Sequence, residues 1–265
     1  MEEIVEQFSP DEEGQLSLQF QGWTDLMQPF FHNISAIDQI LSLDISNNCI
    51  TLIPNEISEL IHLAMFNCSS NKIKDIPDYV GTLVELKVFK AKCNNINNLS
   101  LKIGDCIKLE ELYLSENQIE ALPDSITRCK RLRILQVQNN KLHSLPFALG
   151  TRHRTLEMDV SNNPYLNRII PKEMQDKSEA IFFMLNYHHE QKQKIQNIMH
   201  VIQDLRKNSH DREKALREVQ MNISRVKEDS DRLLLERIDC NFYLGIKTSI
   251  LKMKRAINKA IAKSI

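Results

Sequence analysis

One asparagine recurs at a fixed interval of 23 residues through the middle of the chain. It stands at six positions, which are Asn48, Asn71, Asn94, Asn117, Asn140 and Asn163. The residues three and five places before each asparagine are apolar every time, as Ile45 and Leu43 are before Asn48. A period of roughly 20 to 50 residues is typical of solenoids, in which each unit buries its apolar edge against its neighbours. The recurrence therefore predicts a stacked repeat architecture.

Further aliphatic residues and a proline complete the repeat unit. Ile50 and Ile53 follow Asn48 by two and five places, and the next four units place aliphatic residues at the same offsets. Proline comes next in four of these five units, and Ser100 replaces it in the third. The unit reads L-x-x-L-x-L-x-x-N-x-L-x-x-L-P-x-x-I-x-x-L. Its L-x-L part is typical of a short strand with alternate residues pointing inward, and the asparagine is expected to bond the backbone at the turn.

This unit resembles the cytosolic leucine-rich repeat over residues 40 to about 166. The L-P-x-x-I form is similar to that of the Ras-suppressor and plant intracellular Ras-group-related proteins. The resemblance implies an α/β fold, a solenoid with short parallel strands on its concave face and an internal asparagine ladder. It also implies a non-catalytic scaffold that binds proteins. A shared repeat class does not transfer a partner, so the link to Ras pathways is an analogy at the level of the fold.

Three parts of the chain are predicted from the repeat boundaries. Residues 1–39 are an acidic N-terminal segment that ends in a degenerate capping unit, residues 17–39. The apolar residues of that unit are Phe20, Phe30, Ile34 and Ile37. Residues 40–170 are the leucine-rich-repeat domain with six repeats, and residues 171–265 are a helical region.

The residues around the two strand leucines are expected to line the concave surface. The candidate partner-binding residues there are Met65, Val88, Lys90, Lys92, Glu111, Tyr113, Ile134 and Gln136. An aromatic anchor among apolar and charged neighbours is typical of a protein-binding surface. The alternative is a solvated polar sheet face with scattered apolar residues. Nucleic acid is a less favoured partner, because four acids on the same face offset the two lysines.

Beyond Pro171, apolar residues recur at alternating steps of three and four. This predicted seam consists of Ile195, Ile198, Ile202, Leu205, Leu216, Val219, Ile223, Val226 and Leu233. Such spacing predicts long α-helices that form a coiled coil or a helical hairpin. In the hairpin, the residues 208–211 (Asn-Ser-His-Asp) cap a second helix that folds back. In a continuous helix, the seam requires another chain, in a homodimer or a hetero-coiled coil.

The two ends of the chain carry opposite charges behind a net charge of −1. Residues 1–39 contain eight acids and no Lys or Arg, whereas residues 241–265 contain six bases and no acid. The bases are Lys247, Lys252, Lys254, Arg255, Lys259 and Lys263. They predict a basic amphipathic helix that suits the acidic tails of tubulin, an anionic membrane or a calmodulin-like groove. The alternative is a helix packed on its neighbour with solvated lysines.

No catalytic motif stands out in the sequence. The six glycines form neither a G-x-x-x-x-G-K-[ST] nor a G-x-G-x-x-G loop, and G-x-S-x-G is absent. His188 and His189 would point about 100° apart on a helix and could not share a metal. Lys92 is expected to lower the pKa of Cys93, but no histidine in register would serve as its base. We therefore expect no enzymatic activity, no cofactor and no metal.

The sequence favours a soluble cytoplasmic protein. The start Met-Glu-Glu lacks the positive charge of a secretory signal, and no apolar run approaches the roughly 18 residues of a membrane span. The six cysteines include no closely spaced pair of the zinc-binding kind, and free thiols are typical of a reducing cytosol.

These patterns predict a non-enzymatic scaffold or adaptor. It would bind a protein partner through the concave face and oligomerise or dock through its C-terminal helices. One alternative is a structural component of a cytoskeletal assembly such as a ciliary or flagellar axoneme. Another is a regulatory subunit of a GTPase or phosphatase.

Overall fold

A computed structural model describes residues 8–24, 36–152 and 155–166, together with separate positions between 181 and 225. Within these residues, seven strands form one parallel sheet in the order β1-β2-β3-β5-β7-β8-β9. They are β1 (Gln15–Ser17), β2 (Ser42–Asp44), β3 (Met65–Asn67), β5 (Val88–Lys90), β7 (Glu111–Tyr113), β8 (Ile134–Gln136) and β9 (Glu157–Asp159). Two neighbouring repeats also form a second, two-stranded parallel sheet, in which β4 (Asp75–Ile76) pairs with β6 (Asn98–Leu99).

The register of the large sheet repeats the 23-residue period of the sequence. From β2 to β9, each strand residue lies opposite the residue 23 positions later, as Phe66 lies opposite Phe89. The middle residue of each strand is buried because alternate side chains point to opposite faces. Phe66 and Phe89 stack in the core with their ring centroids 5.5 Å apart. The predicted parallel sheet is therefore present.

Short 3₁₀ helices form the returning side of the repeats. They are Ile37–Gln39, Asn55–Glu59, Asp78–Thr82, Leu101–Asp105, Asp124–Arg128 and Phe147–Arg152. Proline stands immediately before four of them, at Pro54, Pro77, Pro123 and Pro146, where a fixed φ and a missing N–H suit a helix start. Ser100 takes the proline position in the third repeat, and its hydroxyl accepts a hydrogen bond from the Lys102 N–H at 2.9 Å.

The six ladder asparagines bond the backbone of neighbouring repeats. In Asn94, Oδ1 accepts from the Ile73 N–H at 3.0 Å, and Nδ2 donates to the carbonyls of Cys68 and Ala91. The residue before each ladder asparagine has a positive φ of 54° to 57°; these residues are Asn47, Ser70, Cys93, Glu116, Asn139 and Asn162. Five buried hydrogen bonds hold these left-handed turns in place along the array. In each of them, a backbone N–H of the preceding repeat donates to the Oδ1 of a ladder asparagine.

An N-terminal unit adds one strand beyond the six predicted repeats. Leu16 in β1 lies opposite Leu43, a step of 27 residues, so this unit is four residues longer than the others. Gln21 holds the ladder position in this register, and its Nε2 donates to the Gln19 carbonyl at 3.0 Å. Because of the longer spacing, the strand begins two residues before the predicted capping unit at residues 17–39. Phe20, expected near an apolar position, is instead 74% exposed.

Helical residues pack against the opposite end of the solenoid. Ile181, Phe182 and Leu185 are buried in the same core as the repeats. A Cβ on Gly150 would lie 2.0 Å from the Asn186 N, so the two backbones approach closely there. Gly81 and Gly104 make the equivalent approach to the backbone of the following repeat. Ile181, Phe182, Leu185 and Asn186 thus occupy the position of the next returning segment and act as a C-terminal cap.

The predicted seam and basic helix lie outside the described residues. This applies to Ile195, Ile198, Ile202, Leu205, Leu216, Val219, Ile223, Val226 and Leu233, and to Lys247, Lys252, Lys254, Arg255, Lys259 and Lys263. Every described position between 181 and 225 is helical. In the part of the chain that the structure covers, no helix has the length and hydropathy needed to cross a bilayer.

Candidate functional site

The concave face is built from the residues that flank the buried middle of each strand. Strand pairing aligns them in two rows, Met65–Val88–Glu111–Ile134 and Asn67–Lys90–Tyr113–Gln136. All eight of these side chains are half-buried. Neighbouring strands lie about 4.8 Å apart, so each row spans about 14 Å. Lys92 lies two residues after the end of β5, beside these rows. The eight predicted partner-binding residues therefore lie on one continuous surface.

Tyr113 lies at the centre of this surface. Its hydroxyl donates to Glu111 Oε2 at 2.8 Å. The Nζ of Lys92 lies 4.7 Å from the ring centroid, and the Nζ of Lys90 lies 5.8 Å from it. Both ammonium groups are within the range of a cation–π interaction. These four residues, Lys90, Lys92, Glu111 and Tyr113, form the Tyr113 cluster.

Desolvation raises the pKa of the Tyr113 hydroxyl, and the hydrogen bond to Glu111 and the charge of that carboxylate raise it further. The hydroxyl therefore stays protonated at neutral pH and remains a hydrogen-bond donor. The ring is held in place by this bond from one side and by the two lysines above it.

Arg133 completes the surroundings of Glu111. Its guanidinium forms an ion pair with Glu111 and a longer one, 3.5 Å, with Glu110. The sequence analysis did not select Arg133, although it follows Glu110 by 23 residues, one repeat period. The period was therefore the signal that could have identified it.

The other acids near the cluster also have partners. Asp44 accepts hydrogen bonds from the Ser46 N–H at 2.9 Å and from Asn67 Nδ2 at 2.8 Å. Glu116 Oε2 accepts from Cys93 Sγ at 3.4 Å. By contrast, none of the ion pairs among the described residues includes Lys90 or Lys92. Among the described residues, the two ammonium groups therefore lie over the ring of Tyr113 without an ion-pair partner.

Cys93 does not have the lowered pKa expected from its neighbour Lys92. Desolvation and the hydrogen bond to Glu116 raise the pKa of this thiol, and together they outweigh the effect of the lysine. Three further thiols are buried in the core. Desolvation raises the pKa of Cys68, that of Cys106 to about 12 and that of Cys129 to about 11. These thiols act as core residues, because the thiolate is the reactive form.

Within the described ranges, no group of three His, Cys, Asp or Glu side chains lies close enough to hold a metal ion. The geometry of the concave face combines an aromatic ring, apolar side chains and fixed charges. This arrangement can bind another molecule by contact.

Comparisons with known proteins agree with the repeat geometry. Residues 107–150 match the family model described as Leucine Rich repeats (2 copies), and residues 39–60 match the one described as Leucine Rich Repeat. A leucine-rich-repeat protein of Leptospira interrogans is similar in structure, with a TM-score of 0.52 and 29% identity, over 57% of this chain and 38% of that chain.

An internalin of Listeria monocytogenes aligns with a TM-score of 0.44 and 21% identity, over 54% of this chain and 46% of that chain. The chain thus spans less than half the length of both solved structures. Comparison with curated protein sequences gives no match. The family matches, the similarity to the Leptospira structure, the parallel register and the asparagine ladder together show that the chain contains leucine-rich repeats.

Proposed function

We propose that this chain is a non-enzymatic scaffold that binds a protein partner through the concave face of its solenoid. The observation that carries the proposal is the Tyr113 cluster at the centre of that face. Solenoids commonly use their extended concave surfaces for binding, which supports this assignment.

Apolar side chains beside the cluster support the same conclusion. Met65, Val88 and Ile134 are half-buried and lie on the face opposite the core, so they have no packing role inside the solenoid. Covering such residues stabilises a complex by about 25 cal/mol per Å² of apolar surface removed from water. A tyrosine held rigidly among them is the kind of residue that contributes most to binding free energy.

The size of the face is sufficient for a stable complex. Each of the seven strands presents two flanking side chains, and the second residue after five of the strands adds a third, whereas Ser46 and Ser115 at that position are buried. These positions number 19, close to the lower end of the roughly 20 to 30 residues per partner of a standard interface. We therefore assign the whole concave sheet, and not a single pocket, to the interaction.

A second role is proposed for the C-terminal region. The described residues from 181 to 200 are helical and lead into the predicted seam at residues 195–233. This favours oligomerisation or docking through that seam, as a hairpin, a homodimer or a hetero-coiled coil. The predicted basic helix, residues 247–263, would bind an acidic surface such as tubulin tails. This role suits a component of a cytoskeletal assembly such as an axoneme. A cytoplasmic location and a regulatory role toward a GTPase or phosphatase remain predictions from sequence.

Affinity capture with matched variants tests the proposed binding face. The immobilised full-length chain would be incubated with cell extract, cross-linked and analysed by quantitative mass spectrometry. We expect Tyr113→Ala/Ile134→Ala to reduce recovery of the captured partner at least about tenfold, because it removes the aromatic anchor and an apolar contact. The control Lys74→Ala/Leu101→Ala changes two exposed residues of the returning side and should retain the partner. Equal recovery with both variants would contradict the proposal.

A further inference from the structure

We infer that the concave face recognises a short acidic segment of its protein partner, whose carboxylates bind the ammonium groups of Lys90 and Lys92 above the ring of Tyr113. This inference rests on the proposed function and adds to it the chemistry of the partner.

Strand geometry brings the two lysines together over one ring. Phe89 and Ala91 are buried, so Lys90 and Lys92 point to the opposite, concave side. Tyr113 lies directly opposite Lys90 in the adjacent strand. Because both Nζ atoms lie within 6 Å of the same ring centroid, the structure presents a paired cationic site with an aromatic floor.

The charge of this site is not neutralised within the described part of the chain. Glu111, the nearest acid to the ring, already accepts from Tyr113 and pairs with Arg133. Two like charges held close together repel each other, and a carboxylate placed between them relieves that repulsion. Both lysines are half-buried, so the attraction is screened less by solvent than at an open surface. An acidic side chain is therefore the group that the site fits best.

The flanking acids limit the length of the anionic ligand. Asp44 lies two strands from β5, at a distance of about 10 Å. Glu157 and Asp159 lie three strands from β5 on the other side, at a distance of about 14 Å. A nucleic acid that ran across the face would place its regularly spaced phosphates against these carboxylates. One or two neighbouring Glu or Asp residues of a peptide fit between them. This favours a short acidic protein segment over a nucleic acid.

Fluorescence anisotropy with the full-length chain tests the inference. The probe is a fluorescein-labelled peptide with the central sequence Gly-Glu-Glu-Gly, and the reference probe has Gln at both Glu positions. We expect the acidic probe to bind at least about tenfold more tightly than the Gln probe, and to weaken as salt is raised. Tyr113→Leu should weaken binding about threefold, because it removes the cation–π contacts that position the lysines.

A matched pair of charge reversals separates this site from general electrostatics. Lys90→Glu/Lys92→Glu should weaken the acidic probe at least about tenfold, as expected when two attractive charges become repulsive. Lys72→Glu/Lys74→Glu makes the same charge change at the same spacing on exposed residues of the preceding repeat, and should leave binding within about twofold. Equal weakening by both reversals would overturn the inference. Acidic and Gln probes that bind equally, or a single-stranded DNA oligonucleotide that binds more tightly than the acidic probe, would also overturn it.

The capture experiment distinguishes this failure from a failure of the proposed function. If the acidic probe fails while Tyr113→Ala/Ile134→Ala still releases the captured partner, the concave face remains the binding site and the acidic specificity is wrong. If neither set of variants affects binding, the proposed function itself is wrong.

Discussion

The buried asparagine of each repeat forms hydrogen bonds with four backbone groups around the turn. In Asn117, Oδ1 accepts from the Ile96 N–H at 3.0 Å, and Nδ2 donates to the carbonyls of Ala91 at 2.9 Å, Leu114 at 3.0 Å and Ser115 at 3.1 Å. Its neighbours in the sequence differ between repeats, whereas these bonds recur at Asn140 and Asn163. The ladder position could therefore be predicted from sequence, because one side-chain type alone meets this set of bonds.

Asn117→Ala is expected to lower the free energy of unfolding by about 2 to 4 kcal/mol, because it leaves buried donors and acceptors without partners. Urea unfolding followed by circular dichroism measures the change. The neighbouring Gln118 is exposed, and Gln118→Ala should change the stability by no more than about 0.5 kcal/mol. Similar losses in the two variants would show that the ladder does not carry this stability.

Cys93 gives a residue-scale prediction about reactivity. Its pKa is raised, by desolvation first and by Glu116 second, so less thiolate is present at pH 8 than for an ordinary thiol. Glu116→Gln removes the carboxylate charge, lowers this pKa and should speed alkylation of Cys93 by iodoacetamide about two- to fivefold. Glu120→Gln, at an exposed acid in the same repeat, serves as control. Peptide mass spectrometry measures the alkylation rate. A rate at Cys93 that Glu116→Gln leaves unchanged would show that Glu116 does not raise the pKa of this thiol.

The two ends of the solenoid show where sequence analysis was insufficient. The strands from β2 to β9 follow one period, so their positions could be predicted. The unit that contains β1 is four residues longer, and a search at one fixed interval does not align it. At the other end, Ile181, Phe182 and Leu185 precede the seam pattern that begins at Ile195. These side chains are buried in the core of the repeats, and the backbone of Leu185 and Asn186 approaches Gly150 closely. Contacts between segments so far apart in the sequence are not visible in a local pattern.

Gly150→Ala tests the close approach at the C-terminal cap. A Cβ there would clash with the backbone of Leu185 and Asn186, so we expect a loss of about 2 to 4 kcal/mol in the free energy of unfolding. Gly22 is the matched glycine, because it has a φ of +68° and nothing within 4 Å of an added Cβ. Gly22→Ala should cost only about 1 to 2 kcal/mol, from its backbone conformation. A smaller loss for Gly150→Ala than for Gly22→Ala would argue against the packed cap.

At the scale of the whole molecule, we assign binding to the concave sheet that the stacked repeats assemble together. Its residues could be predicted, because the period fixes which positions point away from the core. The period places Arg133 beside Glu110 of the preceding repeat, but it does not specify which side chains then bond. The ion pair of Arg133 with Glu111 and the raised pKa of Cys93 depend on such side-chain contacts between adjacent repeats and could not be predicted. Helical periodicity beyond residue 195 predicts a further contact surface that is independent of the solenoid.

Light scattering over a range of concentrations tests the proposed role of this second surface. We expect the full-length chain to form a concentration-dependent dimer through the seam. A truncation after His200 keeps the cap residues Ile181, Phe182 and Leu185, so its solenoid remains closed, and it should be monomeric. A full-length monomer would instead indicate a helical hairpin, with the concave face as the main binding surface.

The most direct test of the central claim is a lysine footprint of the complex. The rates of acetylation by an activated ester would be measured by mass spectrometry for the full-length chain alone and with its captured partner. We expect slower acetylation at Lys90 and Lys92 in the complex, because a partner on the concave face covers them, and unchanged rates at Lys72 and Lys74. Protection of Lys72 and Lys74 with Lys90 and Lys92 unaffected would contradict it.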